Sequence, residues 1–326
     1  GSPALMDSVA TEFARRGYLT ASIKYRLGFL GPTLTCPMDT IELLRAWYRA
    51  TQDAKSAVRW FKQRHAQFGI DTNLVFAGGW SAGGYTLSGL AWMNDESEKP
   101  WQANQLNDTL INNFLYERPD LGSVHGISNI NSHSSSIAGI FSFSSSFLFP
   151  EHQDENERTA ILYFNNKSDQ YEIPWEDCNA DAWNYLCPNG LPKSCGIEAM
   201  LNQFEEFNIE HRYTLYETNI CSHNLHEPCF PYFQEEISKI TEFLNDISLC
   251  EIVGEDKLST FQSSKTYLIH LEELESFLLP YTNWTFINTL GQNLTINSAS
   301  FLDISVGFYY CFLPDSKQAP IKVYIY

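Results

Sequence analysis

Asn73-Leu74-Val75-Phe76-Ala77-Gly78-Gly79-Trp80-Ser81-Ala82-Gly83-Gly84-Tyr85 decides how the chain is read. The β-prone residues 73–77 predict a short buried strand, and the apolar run Leu87, Leu90, Ala91 predicts a helix. Between them stands Gly79-Trp80-Ser81-Ala82-Gly83, a G-x-S-x-G pentapeptide. A strand that turns sharply into a helix needs small residues two before and two after the serine, because a Cβ there would collide with the neighbouring strand or helix. Such a turn lifts the Ser81 hydroxyl off the sheet. It also leaves the Ala82 amide at a helix N-terminus, where it can donate to a developing oxyanion. In a chain with 18 glycines the pentapeptide alone arises by chance; the strand before it and the helix after it make it a nucleophile elbow rather than a glycine-rich loop.

Working outward, Leu5, Val9 and Phe13 recur every four residues up to Gly17, which predicts a short helix with a glycine cap. Tyr18 to Tyr25 predicts a strand. Met38 to Gln67 predicts a long helical region packing Ala54, Ala57, Val58 and Phe61 on one face and closing at Gly69. Beyond the elbow helix, Asn94 to Asn131 is polar and rich in Asn, Asp, Gly and Pro, an insertion expected near the mouth of the site. Ile137–Phe143 and Thr159–Phe164 follow as strands, Ile197–Phe207 as an amphipathic helix and Arg212–Glu217 as a strand. Phe233, Ile237, Ile240 and Leu244 mark a closing helix. Alternating helix and strand around one elbow predicts a parallel sheet with helices on both faces and a site at the carboxyl ends of the strands.

Asp169 follows the strand that ends near Phe164, and His223 lies in the loop between the last strand and the last helix. Ser81, Asp169 and His223 thus run in the order Ser, Asp, His, each at a strand's carboxyl end. His226, on the same loop, is the competing base. In this reading His223 takes the Ser81 proton as Ser81 attacks a carbonyl, Asp169 orients the imidazole, and the Ala82 amide binds the oxyanion. No cofactor and no metal are expected.

With 326 residues, 44% hydrophobic, the chain suffices for one large core and a smaller second domain. Its 39 acidic against 21 basic residues give a formal charge of −18, which disfavours nucleic acid and anionic membranes as partners. No apolar run reaches the roughly 18 residues of a membrane span. The cysteines at 36, 178, 187, 195, 221, 229, 250 and 311 form no paired C-x-x-C pattern. They predict disulfides of unreadable connectivity in an exported protein rather than a metal centre.

From Tyr18 to about Leu244 the chain resembles bacterial carboxylesterases of the α/β-hydrolase fold, in the branch related to type-B carboxylesterases and hormone-sensitive-lipase-like esterases. The matching pieces are Arg16-Gly17-Tyr18, Tyr25-Arg26-Leu27-Gly28, Gln52-Asp53-Ala54, Val58-Arg59-Trp60, Phe68-Gly69-Ile70-Asp71 and Gly79-Trp80-Ser81-Ala82-Gly83-Gly84. The resemblance implies hydrolysis of small-molecule or polymer-linked carboxylic esters without a cofactor, and a structural, buried Arg26–Asp53 pair. It also implies a His-Gly-Gly oxyanion segment and early strands that would fall before Gly1. Residues 1–326 alone are therefore expected to be poorly soluble or nearly inactive, and a signal peptide is expected to lie upstream. From the residues alone, Trp80, Trp92, Phe147 and Trp175 are aromatics near the site that can line a pocket or, as aromatic side chains more often do, fill the core.

Residues 250–326 have a different character, with short strands around Trp284–Ile287, Gly307–Tyr310 and Lys322–Ile325 that predict a small all-β sandwich after a catalytic domain at 1–249. Asn288–Gln292, Leu302–Tyr309 and Lys322–Ile325 are similar to the C-terminal sorting domain of type IX secretion cargo. That similarity implies secretion or display at the bacterial cell surface, with the secretion machinery as partner; an accessory carbohydrate-binding or packing module is the alternative. For the first domain two other functions compete with a serine carboxylesterase. A prolyl-oligopeptidase-type serine peptidase shares the Ser, Asp, His order, and a non-catalytic esterase-like binding protein shares the fold. Acyl p-nitrophenyl esters against dipeptide anilides separate the first pair, and a fluorophosphonate probe the second.

Overall fold

Gly139–Phe143 and Ala160–Asn166 are buried along their whole length, which only strands covered on both faces can be. In chain order the helices are α1 (Pro3–Arg15), α2 (Thr40–Gln63), α3 (His65–Phe68), α4 (Ala82–Trp92), α5 (Ile197–Glu206) and α6 (Phe230–Val253). The strands of the first part are β1 (Phe76–Trp80), β2 (Thr109–Ile111), β3 (Phe114–Tyr116), β4 (Gly139–Phe143), β5 (Ala160–Asn166) and β6 (His211–Tyr216). This computed structural model describes residues 3–28, 40–111, 114–169, 175–178, 192–217, 223 and 230–253, and five later strands.

Strands β1, β4, β5 and β6 form one sheet in that order, every pair parallel. Alternate residues face opposite layers. Ile140, Ile161 and Tyr163 pack with Ala54 and Val58 of α2, Leu87, Leu90, Ala91 and Trp92 of α4, and Met200 and Phe204 of α5. On the other face a Cβ at Gly139 would touch the Phe243 ring of α6, and Phe143 stacks on Phe164 at 5.2 Å. The periodic residues Phe233, Ile237, Ile240 and Leu244 of α6 are all buried. A parallel sheet between helical layers, with a serine turn between β1 and α4, is the expected α/β-hydrolase arrangement.

Four expectations need correction. Residues 18–28 form no strand: the Arg26 amide donates to Asp53 Oδ2 (2.7 Å) and the Gly28 carbonyl accepts from Arg49 (2.7 Å), so this backbone is tied to side chains of α2 instead of a sheet ladder. The Arg26–Asp53 pair does form, at 2.9 Å, yet the Arg26 side chain is 55% exposed, so it is a surface pair. Ala57 and Phe61 are only half-buried and line a surface cavity of about 650 Å³ beside Arg26 and Trp60. The elbow strand is also shifted, since β1 contains the glycines and Trp80 themselves.

The polar segment after Met93 is fastened to α2 in a way its composition does not announce. Arg45, Tyr48, Gln52, Lys55, Arg59 and Lys62 recur at alternating steps of three and four, so they form one stripe, and all are buried. Arg45 donates to the carbonyls of Gln102 (2.7 Å), Asn104 (3.0 Å) and Pro119 (2.6 Å), Tyr48 to that of Gly122 (2.8 Å), and Gln52 to those of Leu121 (2.9 Å) and Ser123 (2.7 Å). Lys55 donates to the Met93 carbonyl, Arg59 to those of His125 (2.7 Å), Ser128 (2.9 Å) and Asn129 (3.0 Å), and Lys62 to that of Ser136 (2.7 Å). The segment begins where α4 ends, roughly 16 Å of helix from Ser81. It is thus anchored along α2, and its Ala103 and Val124 join a buried cluster with Trp47, Tyr48 and Tyr85.

Two compact units divide the chain: residues 1–10 with 21–247, and residues 11–20 with 248–326. In the second, Phe13 meets Tyr18 edge-on at 5.6 Å. Five strands, β7 (Thr266–Ile269), β8 (Trp284–Asn288), β9 (Asn293–Ile296), β10 (Gly307–Phe312) and β11 (Ile321–Ile325), make one sheet in the order β7-β11-β10-β8-β9. Only β7 and β11 pair in parallel. Among the described residues this is a single sheet, where the sequence suggested the two layers of a sandwich.

Candidate active site

The turn between β1 and α4 puts Ser81 at φ 54° and ψ −119°, a backbone conformation that L-residues rarely adopt. It is held there by two main-chain bonds. The Ser81 amide donates to the Phe143 carbonyl at the end of β4 (2.9 Å), and the Tyr85 amide donates to the Ser81 carbonyl (3.0 Å). The glycines around it have unequal reasons. A Cβ on Gly79 would lie 2.5 Å from the Gly83 carbonyl carbon, and one on Gly84 would lie 2.3 Å from Ser142 Oγ. A Cβ on Gly83 would meet nothing within 4 Å, so the steric need expected there rests on Gly79 alone.

Ser81, His223 and Asp169 are brought together. His223 Nδ1 is 2.8 Å from Asp169 Oδ2, and His223 Nε2 is 3.1 Å from Ser81 Oγ. An ionised carboxylate only accepts, so the Nδ1 proton points to Asp169 and Nε2 is left as an acceptor for the Ser81 hydroxyl. Asp169 and His223 are both buried. Asp169 is set just past β5 by a turn in which its amide donates to the Asn166 carbonyl (3.0 Å). The Ala82 amide opens α4 beside Ser81, among the first amides of a helix, which have no acceptor within it. His226 lies outside the described residues.

Two donors converge on the main chain of His223. Its carbonyl accepts from Trp80 Nε1 (3.1 Å) and from Ser144 Oγ (2.9 Å). The Trp80 ring stands 5.3 Å from the imidazole, tilted by 47°. Ser144 itself has φ 48° and follows β4, its amide bonded to the Phe164 carbonyl (2.9 Å). Sequence reading missed this hydroxyl. The signal for it is Ser142-Phe143-Ser144-Ser145-Ser146, a serine run at the end of an apolar strand whose four serines are all buried.

That run continues beneath the elbow. Ser142 Oγ and Ser145 Oγ are 2.5 Å apart, and Ser146 Oγ is 2.8 Å from the Tyr85 hydroxyl and 2.7 Å from Ser194 Oγ. Burial pushes the Tyr85 hydroxyl up to about 12, which keeps it neutral. Of the aromatics expected near the site, Trp92 and Phe147 belong to the core, stacked on each other at 4.9 Å. Trp175 lies under the Lys167 ammonium, 4.6 Å from ring centre to Nζ. Cys178 and Cys195 form a disulfide. Among the described residues no group of three or more His, Cys, Asp or Glu converges to hold a metal ion, and no helix is long and apolar enough to cross a membrane.

A buried carboxylate touched by an imidazole, the imidazole touched by a serine on a strained turn, all at the carboxyl edge of a parallel sheet, define a Ser-His-Asp constellation on an α/β-hydrolase fold. Residues 2–118 match the BD-FAE family. No curated protein matches. Among solved structures the chain is similar to apo esterase 2 of Thermogutta terrifontis, with 16% identity, 76% of this chain and 78% of that one covered, and a TM-score of 0.45. The same enzyme phosphonylated by sarin gives 15% identity, 76% and 79% coverage and a TM-score of 0.47. MGS-M1, an alpha/beta hydrolase enzyme from a Medee basin deep-sea metagenome library, gives 12% identity, 74% and 76% coverage and a TM-score of 0.38.

Proposed function

We propose that the protein is a serine carboxylesterase. The observation that carries this reading is the hydrogen-bonded series Ser81–His223–Asp169, with distances of 3.1 and 2.8 Å, at a serine whose backbone is strained. The match of residues 2–118 to BD-FAE supports it. His223 Nε2 takes the Ser81 proton as Oγ bonds to the ester carbonyl carbon. The charge that develops on the carbonyl oxygen is met by the Ala82 amide. Collapse of the tetrahedral species breaks the bond to the alcohol oxygen, which leaves with the proton from His223. Water then repeats the cycle on the acyl-enzyme, freeing the acid and Ser81. Asp169 holds the imidazole tautomer throughout and stays ionised.

The test is covalent labelling by a fluorophosphonate, which needs nucleophile and base and detects an enzyme of weak turnover. The protein is expected to be labelled at Ser81, and Ser81→Ala to abolish labelling. Hydrolysis of p-nitrophenyl acetate but not of dipeptide p-nitroanilides separates the esterase from a peptidase of prolyl-oligopeptidase type. An unlabelled Ser81 in folded protein would favour a non-catalytic esterase-like binding protein.

We further propose export, with residues 250–326 as the sorting module read by type IX secretion machinery. The similarity of that region to such domains supports it, as does the Cys178–Cys195 disulfide, a bond at home in oxidising compartments. A reporter fused to residues 250–326 should reach the medium or cell surface of a type IX-competent host; retention in the cell sinks the reading.

A further inference from the structure

The two bonds to the His223 carbonyl close a circuit with the nucleophile. Trp80 precedes Ser81 in the chain and gives its indole N–H to the His223 oxygen (3.1 Å). Ser144 gives its hydroxyl to the same oxygen (2.9 Å) and follows Phe143, whose carbonyl accepts from the Ser81 amide (2.9 Å). Ser81, Trp80, His223, Ser144 and Phe143 are therefore joined in one ring of covalent and hydrogen-bonded links, with the Ser81–His223 proton path inside it.

We infer that Trp80 and Ser144 are positioning residues which fix the main chain of His223 relative to Ser81, and so set the reach of the imidazole to Oγ. This deepens the esterase reading and rests on it. Three observations carry it. Both donors meet one acceptor, and that acceptor is the backbone of the base rather than its ring. Asp169 at Nδ1 and Ser81 at Nε2 fix how the ring is turned, and the two main-chain bonds fix the Cα from which the ring projects. Ser144 also keeps φ 48° without being glycine, a strained conformation that a hydroxyl aimed at His223 gives a reason to retain. Proton transfer depends steeply on donor–acceptor distance, so a base displaced by a few tenths of an ångström loses rate without losing substrate affinity.

The experiment is saturation kinetics of phosphonylation by a p-nitrophenyl phosphonate, separating the maximal rate from the half-saturating concentration, on parent, Trp80→Phe, Ser144→Gly and the double variant. Glycine suits φ 48°, so Ser144→Gly removes the hydroxyl while relieving strain and should unfold no earlier than the parent. Each single variant is expected to lose about tenfold in maximal rate per folded molecule, and the double variant on the order of a hundredfold or more, since one donor partly covers for the other. Half-saturation should stay within twofold. If Trp80→Phe fails to fold, the benzothienyl analogue of tryptophan at position 80, which exchanges only N–H for sulfur, takes its place. A double variant within twofold of the parent rate overturns the inference. So does a rise in half-saturation at unchanged rate, which would make these residues part of the substrate's lining. A parent that is folded but never phosphonylated overturns the esterase reading itself, and the inference with it; only in that case does the parent fail.

Discussion

Gly79 and Gly83 flank the same serine, and the space around them predicts opposite outcomes on gaining one methyl group. Gly79→Ala drives a Cβ to 2.5 Å from backbone that cannot rotate away, so it is expected to abolish fluorophosphonate labelling or to leave no soluble protein. Gly83→Ala has open space, and its rate of labelling should stay within a few-fold of the parent. Equal damage at both positions would contradict the steric account. His223→Ala should lower ester hydrolysis by several orders of magnitude, and Asp169→Asn by about 10⁴-fold through the wrong imidazole tautomer, both measured as kcat per folded molecule. The three residues of this series were legible because their order along the chain and their places after strands are fixed by the fold. Ser144 and the indole of Trp80 were not. Their partner is the main-chain oxygen of His223, and no side-chain pattern records where a carbonyl far along the chain will point.

At the scale of elements, α6 carries a buried carboxyl whose effect changes with pH. Glu236 is 1% exposed, its Oε1 has no hydrogen-bond partner, and burial, reinforced by Glu235, pushes it up to about 8. In the unfolded chain a glutamate titrates near 4.5. Between those two values the folded state holds the proton more tightly, so stability from this group is full below about 4.5 and declines as pH rises towards 8. Glu236→Gln should therefore raise the melting temperature at pH 8 and change it little at pH 4.5; an equal shift at both would refute the titration. For α2, Arg59→Met removes donors from three carbonyls and is expected to cost on the order of 1–3 kcal/mol, with faster amide exchange at residues 125–129 and unchanged chemistry at Ser81. Helix α2 was legible from its apolar spacing, but its buried cationic stripe reads as a solvated face until the carbonyls that meet it are known. The strand expected over residues 18–25 failed for a related reason. Alternating side chains permit a strand, and only a free neighbouring ladder makes one.

For the whole molecule, the parallel sheet followed from the alternation of helix and strand, with strands as apolar as Ile137–Phe143 but for Ser142, while the grouping into units did not. Residues 11–20 fall with 248–326 in the second unit, a long-range association that periodicity cannot express. Ending the chain at Val253 should nevertheless leave phosphonylation of Ser81 within a few-fold, because Ser81, Asp169 and His223 all lie in the first unit. Loss of labelling together with loss of the native circular dichroism spectrum would mean that the second unit is required for the first to fold. The fastening of residues 93–136 has a consequence for what the protein shows to its surroundings. The cationic stripe of α2 grips this segment by its peptide groups, and among the segment's own side chains Asn129, on Ser56, Asn131, on the Arg59 carbonyl, and Arg118, on Glu42, are hydrogen-bonded to that helix. Exposed positions such as Leu110 and Ile127 are thus free lettering on a panel whose screws lie behind it: they can be rewritten wholesale, by an engineer or by mutation, to give this end of the enzyme a new surface while the hydrolytic chemistry stays as it was.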